Sequence, residues 1–390
     1  MKKTLLAAAL AVGFAGVAQA ETSVTLYGII DTGIAYERQN GVVSGVNPDG
    51  SLDHVKRTRT GVYDGTNLGQ AGSRWGLRGV EDLGNGLRAV FQLESGFLVT
   101  TGQSAQGGRL FGRQATVGLH GDAWGQVDLG RQTTVGSKYM LGTIDPFGGG
   151  FGQASAGKAM TATDTIRYDN TIIYQTPNFS GFQAGVGYAF NTDGGQAWKY
   201  SGDDNPNTRA ITAAIRYANG PLGVVLTYDQ AKRSSNTGYA DTTRSQWNIG
   251  AAYDFEVVKV SLGFGQTRNG DWAARNIWTT SGDVGLINAF DKGFKSNGYV
   301  VGLSAPVGGG KILASWHMVD PRSKSDAIKD FQDLTGEKVD LKKQQTYNLG
   351  YKYPMSKRTD VYAYGSYAKN VHFVKEQKST VVGIGLTHRF

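Results

Sequence analysis

Apolar and polar side chains alternate with a period of two along most of this chain, and no long stretch keeps a helical period. In QTYNLGYKY, Tyr347, Leu349, Tyr351 and Tyr353 share one face, while Thr346, Asn348 and Lys352 share the other. Trp247, Ile249, Ala251 and Tyr253 form an equivalent apolar face, as do Leu222, Val224, Leu226 and Tyr228. Further faces run through Val258, Val260, Leu262 and Phe264, and through Ile312, Ala314, Trp316 and Met318. The pattern predicts about sixteen strands, the first starting near residue 23 and the last near 379, with the fourth and fifth weakly patterned.

A soluble β-sandwich would alternate in the same way, so three other features decide the class. Tyr, Trp and Phe cap the apolar faces near strand ends, as in the aromatic girdles of membrane barrels. Short turns at 81–86, 122–125, 177–181, 219–221 and 308–310 alternate with long polar segments at 37–71, 133–163, 191–208, 269–296 and 320–343. Short turns at one rim and long loops at the other are the asymmetry of outer-membrane barrels. The third feature is an export signal. Lys2 and Lys3 precede an apolar stretch from Leu5 to Val17, and Ala18-Gln19-Ala20 supplies a small-x-small cleavage site. This predicts a signal peptide over 1–20, removed in the mature chain, and one β-barrel domain over 21–390.

Composition narrows the chemistry. The 390 residues include 57 Gly and no Cys, and 18% are charged. A disulfide scaffold, a cysteine-ligated metal and thiol catalysis are thereby excluded. No apolar run approaches the ~20 residues of a membrane helix. A sheet of sixteen strands must close to remove its edges, and at that size its interior holds water rather than packed side chains. The fold class is therefore all-β, a 16-stranded antiparallel transmembrane barrel. The formal net charge is +8, but export argues against nucleic acid as a partner. The five histidines are scattered without an H-x-x-x-H pair, and no nucleophile–base motif is present. The expectation is no enzyme, no metal and no cofactor.

The segments SVTLYGIIDTG (23–33), GSRWGLRGVEDLGNGLRAVFQLESGF (72–97), GRQATVGLHGDAWGQVDLGRQ (112–132), QTPNFSGFQAGVGYAF (175–190) and the closing GIGLTHRF resemble the trimeric general porins of Gram-negative bacteria, in their β-proteobacterial branch. The resemblance spans the whole mature chain and is weakest in 37–71 and 269–296. It implies an outer-membrane location, a homotrimer set among outer-membrane lipid and lipopolysaccharide, and a channel for ions and small hydrophilic solutes. The terminal Phe390 matches the aromatic barrel-assembly signal of these proteins.

The resemblance also implies a constriction. The third long segment, 133–163, would fold into the barrel and narrow the pore; Gly148, Gly149, Gly150 and Gly152 permit the bends this needs. An ordinary surface loop is the competing reading. Asp145 falls where the family carries acidic eyelet residues, and Arg74, Arg113 and Arg167 fall where it carries a basic ladder on the opposite wall. Parity agrees for two of them. Outward Trp75 and Leu77 turn Arg74 inward, and outward Tyr168, Ile172 and Tyr174 turn Arg167 and Asp169 inward. For Arg113, an inward side chain would turn Gln114, Thr116 and Gly118 outward, a face suited to a subunit interface. Together with Gly28 on the first strand, this supports the trimer on small outward residues. Lys138 and Lys158 outnumber Asp145 in the loop, so anion preference is expected, with Asp64, Asp128 and Asp169 as acids able to neutralise the ladder. A substrate-specific channel is the alternative to a general pore.

Overall fold

A computed structural model describes residues 23–46, 52–160, 162, 166–199, 205–234, 242–270, 277 and 289–390. The expected signal peptide lies outside the described residues. Seventeen strand segments among them form one closed antiparallel sheet. Strand β1 (Ser23–Val46) is paired along its outer half by β2 (Leu52–Asp64) and along its inner half by β3 (Arg74–Gly84). β2 and β3 are thus two parts of one stave, so seventeen segments make sixteen staves. The stave is broken by residues 65–73, which turn inward. Asp31 holds the break: its carboxylate accepts from the Ala71 amide at 3.2 Å, from the Tyr362 hydroxyl at 2.8 Å and from the Thr387 hydroxyl. The last strand, β17 (Lys378–Arg389), pairs with β1 from Ile29↔Arg389 to Asn40↔Lys378 and closes the barrel.

The stretch read as a long loop at 37–71 is mostly strand. β1 runs to Val46 and β2 begins at Leu52. Above the bilayer both faces meet water, so the contrast that reveals a strand fades in RTRT and its neighbours. The remaining segments follow the sequence reading closely, including β5 (Gln114–Gly121) and β6 (Gly125–Thr133), the two weakly patterned strands.

Apolar side chains cover the outside. Leu26, Val117, Val186, Leu226, Ile249, Leu262, Leu349 and Ile384 are all exposed, as a lipid-facing surface requires. The buried core lies inside the barrel, between the wall and an inserted loop. Thr134 caps a helix at Val135–Ile144, its hydroxyl accepting from the Ser137 amide. Val135, Met140, Ile144 and Met160 of this loop pack on Ile173, Val225 and Val300 of the wall. Further along, Phe147 and Phe151 pack on Leu313, Tyr362 and Tyr364. Glycines on the wall make the room. A Cβ on Gly250 would lie 2.6 Å from Ile144, and one on Gly263 would lie 2.7 Å from Ile144 and 2.9 Å from the Met160 sulfur. Part of the glycine excess is therefore a seat for the loop.

Candidate functional site

Where the inserted loop faces the uncovered wall, a cavity of 570 Å³ remains. Arg74 opens β3, Arg113 precedes β5, and Arg167 opens β7 (Arg167–Gln175). All three line this cavity, together with Lys158 from the loop. The opposing rim is built from Gly148 to Gly152, and the inward break in the first stave contributes Thr66, Asn67 and Gln70. The two intrusions are clasped, the Phe151 amide donating to the Gly69 carbonyl at 2.6 Å, and the wall holds the break in turn, the Tyr364 hydroxyl donating to the Leu68 carbonyl at 2.6 Å.

No carboxylate lines the cavity among the described residues. The acid in contact with the ladder is Glu94, set behind it on β4 (Leu87–Gly96). Glu94 accepts from Arg113 Nε at 2.7 Å and from the Tyr27 hydroxyl at 2.9 Å, and lies 4.0 Å from Arg74. Arg113 is 6% exposed, so this is a charge-assisted contact in a nearly dry place. Arg74 Nε also donates to the Gly72 carbonyl at 2.8 Å. Among the described residues that line the cavity, every charged side chain is a cation. The sequence reading did not single out Glu94. Its signal was the parity of FQLES, in which Phe91 and Leu93 face lipid and Gln92 and Glu94 face the pore.

The three acids considered as neutralisers are committed elsewhere. Asp64 accepts from the amides of Thr66 at 2.7 Å and Val99 at 2.6 Å. Asp128 meets His120 at 2.9 Å and Gln126 at 2.9 Å. Asp169 pairs with Arg131 at 2.6 Å and Arg109 at 3.2 Å.

Asp145 stands apart from the arginines. It ends the loop helix and braces the turn after it. Its carboxylate accepts from the amides of Phe147 at 2.9 Å, Gly149 at 2.9 Å and Ala156 at 3.0 Å. It lines a different cavity, of 170 Å³, with Lys259 and Lys311. Deeper in the loop, burial pushes the Tyr139 phenol up to about 12, against the pull of Arg216, whose guanidinium lies 4.6 Å over the ring. Tyr139 therefore stays neutral and the loop's anchor is uncharged at its apolar end. Burial also draws the Lys138 ammonium below its ordinary value, opposed by Asp128.

Two orientations differ from the sequence reading. The alternation in β5 starts at Gln114, after Arg113. Val117 and Leu119 face out, 59% and 47% exposed, and Thr116 and Gly118 face the pore. The polar outward face inferred there does not exist, so it gives no support to a subunit interface. Tyr168 turns inward, buried against Ala189, Ala210 and Ala231, because Asn170 takes a left-handed φ of 48° and interrupts the alternation. Gly28 does face out, beneath the ring of Phe390; a Cβ there would lie 2.2 Å from that ring. The Gly28 amide donates to the Phe390 carbonyl at 3.0 Å, and the Phe390 amide to the Gly28 carbonyl at 3.1 Å.

The model of the Gram-negative porin family matches residues 7–372. An outer membrane porin protein of Bordetella pertussis is 52% identical to this chain over 403 residues, covering 100% of both. Outer membrane porin protein 32 of Delftia acidovorans is 35% identical over 393 residues, covering 98% of this chain and 92% of that protein. Among solved structures, an anion-selective porin from Comamonas acidovorans matches with a TM-score of 0.69 and 30% sequence identity, over 95% of this chain and 100% of that one.

Proposed function

The chain belongs to the Gram-negative porin family and is an outer-membrane porin, and from that premise we propose that its water-filled pore passes small hydrophilic solutes with a preference for anions. The observation that carries this reading is the convergence of Arg74, Arg113, Arg167 and Lys158 on one cavity that no described carboxylate lines. In a dry core such a cluster would be costly; in a wet pore it is screened over about 8 Å at physiological salt. A solute squeezed against it stays within that distance, so anions cross at lower cost than cations. Asp145 serves this reading as a brace that keeps the loop in place, its carboxylate turned to three amides. The relative from Comamonas acidovorans, titled anion-selective, supports the same sign.

The test is the reversal potential in a KCl gradient. The wild type reads anion-preferring. Arg74→Ala, Arg113→Ala and Arg167→Ala each move it toward zero. Cation preference in the wild type would overturn the reading, and unchanged values in all three variants would remove these residues from the eyelet. Liposome swelling with a graded solute series separates a general pore from a substrate-specific one. Family members are channels rather than enzymes, and no catalysis is proposed.

The assembly we propose is a homotrimer in contact with outer-membrane lipid and lipopolysaccharide. It is supported by the family, while Gly28, covered by the ring of Phe390, lends it no small outward surface. A monomeric mass for the detergent-solubilised native protein contradicts it. A leader at 1–20 cut after Ala20 would leave Glu21 as the first residue on N-terminal sequencing of purified protein.

A further inference from the structure

Residues 370–377 join β16 (Thr359–Lys369) to β17 at the long-loop rim, and their backbone is strained. Four of these eight residues take a left-handed φ without being glycine: Asn370 at 53°, His372 at 54°, Phe373 at 66° and Glu376 at 66°. Asparagine and histidine visit that region more readily than most residues, whereas for a bulky side chain such as phenylalanine it is an outlier. Left-handed residues also normally occur singly, not as a consecutive pair like 372 and 373. The segment contains no glycine, so the steric cost falls on side chains that carry a Cβ.

Packing and hydrogen bonds hold the segment in this form. Phe373 is fully buried, and its ring packs on Phe294 at 5.5 Å. Val371 is fully buried in a cluster with Ala368 and Ile277. The Lys342 amide donates to the Phe373 carbonyl at 2.8 Å, and the His372 amide to Gln344 Oε1 at 2.9 Å. The Asn370 side-chain amide donates to the Lys343 carbonyl at 3.0 Å. All three partners come from 342–344, so the segment is strapped down onto one neighbouring stretch of chain. The strap continues into the constriction. Phe294 and Phe373 belong to the same buried cluster as Ile144, Met160 and Ala162 of the inserted loop. Gln153 Nε2 of that loop donates to the carbonyl of Ser379, the second residue of β17, at 3.4 Å.

We propose that 370–377 is a sprung strap that sets how firmly the constriction loop is held. Seated, Phe373 completes the cluster at the far end of that loop and steadies the aperture. Released, the backbone relaxes to ordinary angles, Phe373 leaves the cluster and the loop loosens. Strained backbone persists only where its surroundings over-determine it, and here much of that duty falls on one aromatic ring. Burial and strain act on the same residue with opposite signs, so single substitutions can move the balance either way. The strap is separate from the anion preference of the pore, because none of its residues lines the arginine cavity.

The chain has no Cys, so a single introduced thiol reports on the strap without background. Val371→Cys places it at a buried position. In the folded, detergent-solubilised full chain, the rate at which a bulky maleimide labels this thiol measures release. Phe373→Ala in this background should label at least about a hundredfold faster, because a buried ring is lost. Glu376→Asn should label about threefold slower, because it eases a left-handed position at an exposed site. The exposed pair it gives up, Glu376 with Lys378 at 2.8 Å, counts for little. In single-channel recordings Phe373→Ala should add steps of larger conductance, with a reversal potential of unchanged sign. Unaltered labelling in Phe373→Ala overturns the proposal, as does labelling of Glu376→Asn at or above the parent rate. Faster labelling with a wild-type current record breaks the link to the constriction and overturns it too. If Phe373→Ala fails to fold, Glu376→Asn decides: slower labelling supports the strap, and the parent rate overturns it.

Discussion

The inner faces of β3 to β7 and of the strands from β10 (Leu222–Lys232) to β14 (Gly310–Ser323) belong to one barrel but are made of different material. The first carries Arg74, Arg113 and Arg167 along an open cavity, with Glu94 behind them. The second carries Val225, Gly250, Gly263, Val300 and Leu313, covered by the inserted loop. One side is left wet so that charge can act on a passing solute. The other offers glycine and apolar side chains at the contact, with the Ser261 hydroxyl donating to the Ile144 carbonyl at 2.8 Å, so that a loop can be held against it. On the reading proposed above, selectivity and aperture belong to opposite walls, and substitutions should separate them.

The largest effect is expected from filling the seat. Gly250→Val and Gly263→Val push side chains into Ile144 and Met160, an overpacking that costs about 1–3 kcal/mol each. The loop should shift, and single-channel conductance should change while the sign of selectivity persists. Conductance within error of wild type in the double variant would mean the loop is held by something else. Next comes Arg113→Ala. It leaves Glu94 buried without its closest cation, a loss of roughly 3–5 kcal/mol for a broken buried pair. Here the thermal midpoint and the reversal potential should move together. Asp145→Asn tests the brace. One of its carboxylate oxygens becomes an amide facing donor groups, at about 1–3 kcal/mol. Loop stability should suffer, read as noisier single-channel current, with little direct shift in ion preference. A large selectivity shift at constant noise would restore Asp145 to the eyelet. The smallest effect is expected from Asp169→Asn. This acid is tied to Arg131 and Arg109, so the reversal potential should barely change.

Much of the wall was legible because the bilayer enforces a strict contrast between faces. Strands such as 345–353 and 247–253 sit wholly within that contrast. It failed at the places where the solvent is the same on both sides. Residues 37–46 and 52–60 project above the lipid, so β2 read as loop. Parity was misjudged at Arg113, which lies one residue before its strand, and at Tyr168, where Asn170 breaks the alternation. The arginine cluster was visible through the family motif. Glu94 was not, because an acid placed behind the ladder has no position in the loop to betray it. The role of Asp145 was hidden for a different reason. Its partners are backbone amides, and sequence carries no mark of which amides a folded loop will turn toward a carboxylate.

The seam between Gly28 and Phe390 joins positions 362 residues apart, from 28 to 390. Until β17 pairs with β1 along this seam, both strands present an unpaired edge that hydrocarbon cannot satisfy. Closure therefore waits on β17, which follows every other described strand in the chain, and hairpins formed before it leave an open sheet. Because that closing contact is about as non-local as a chain of this size allows, sealing should be the slow event of assembly, and the ring of Phe390 laid over Gly28 is where it ends.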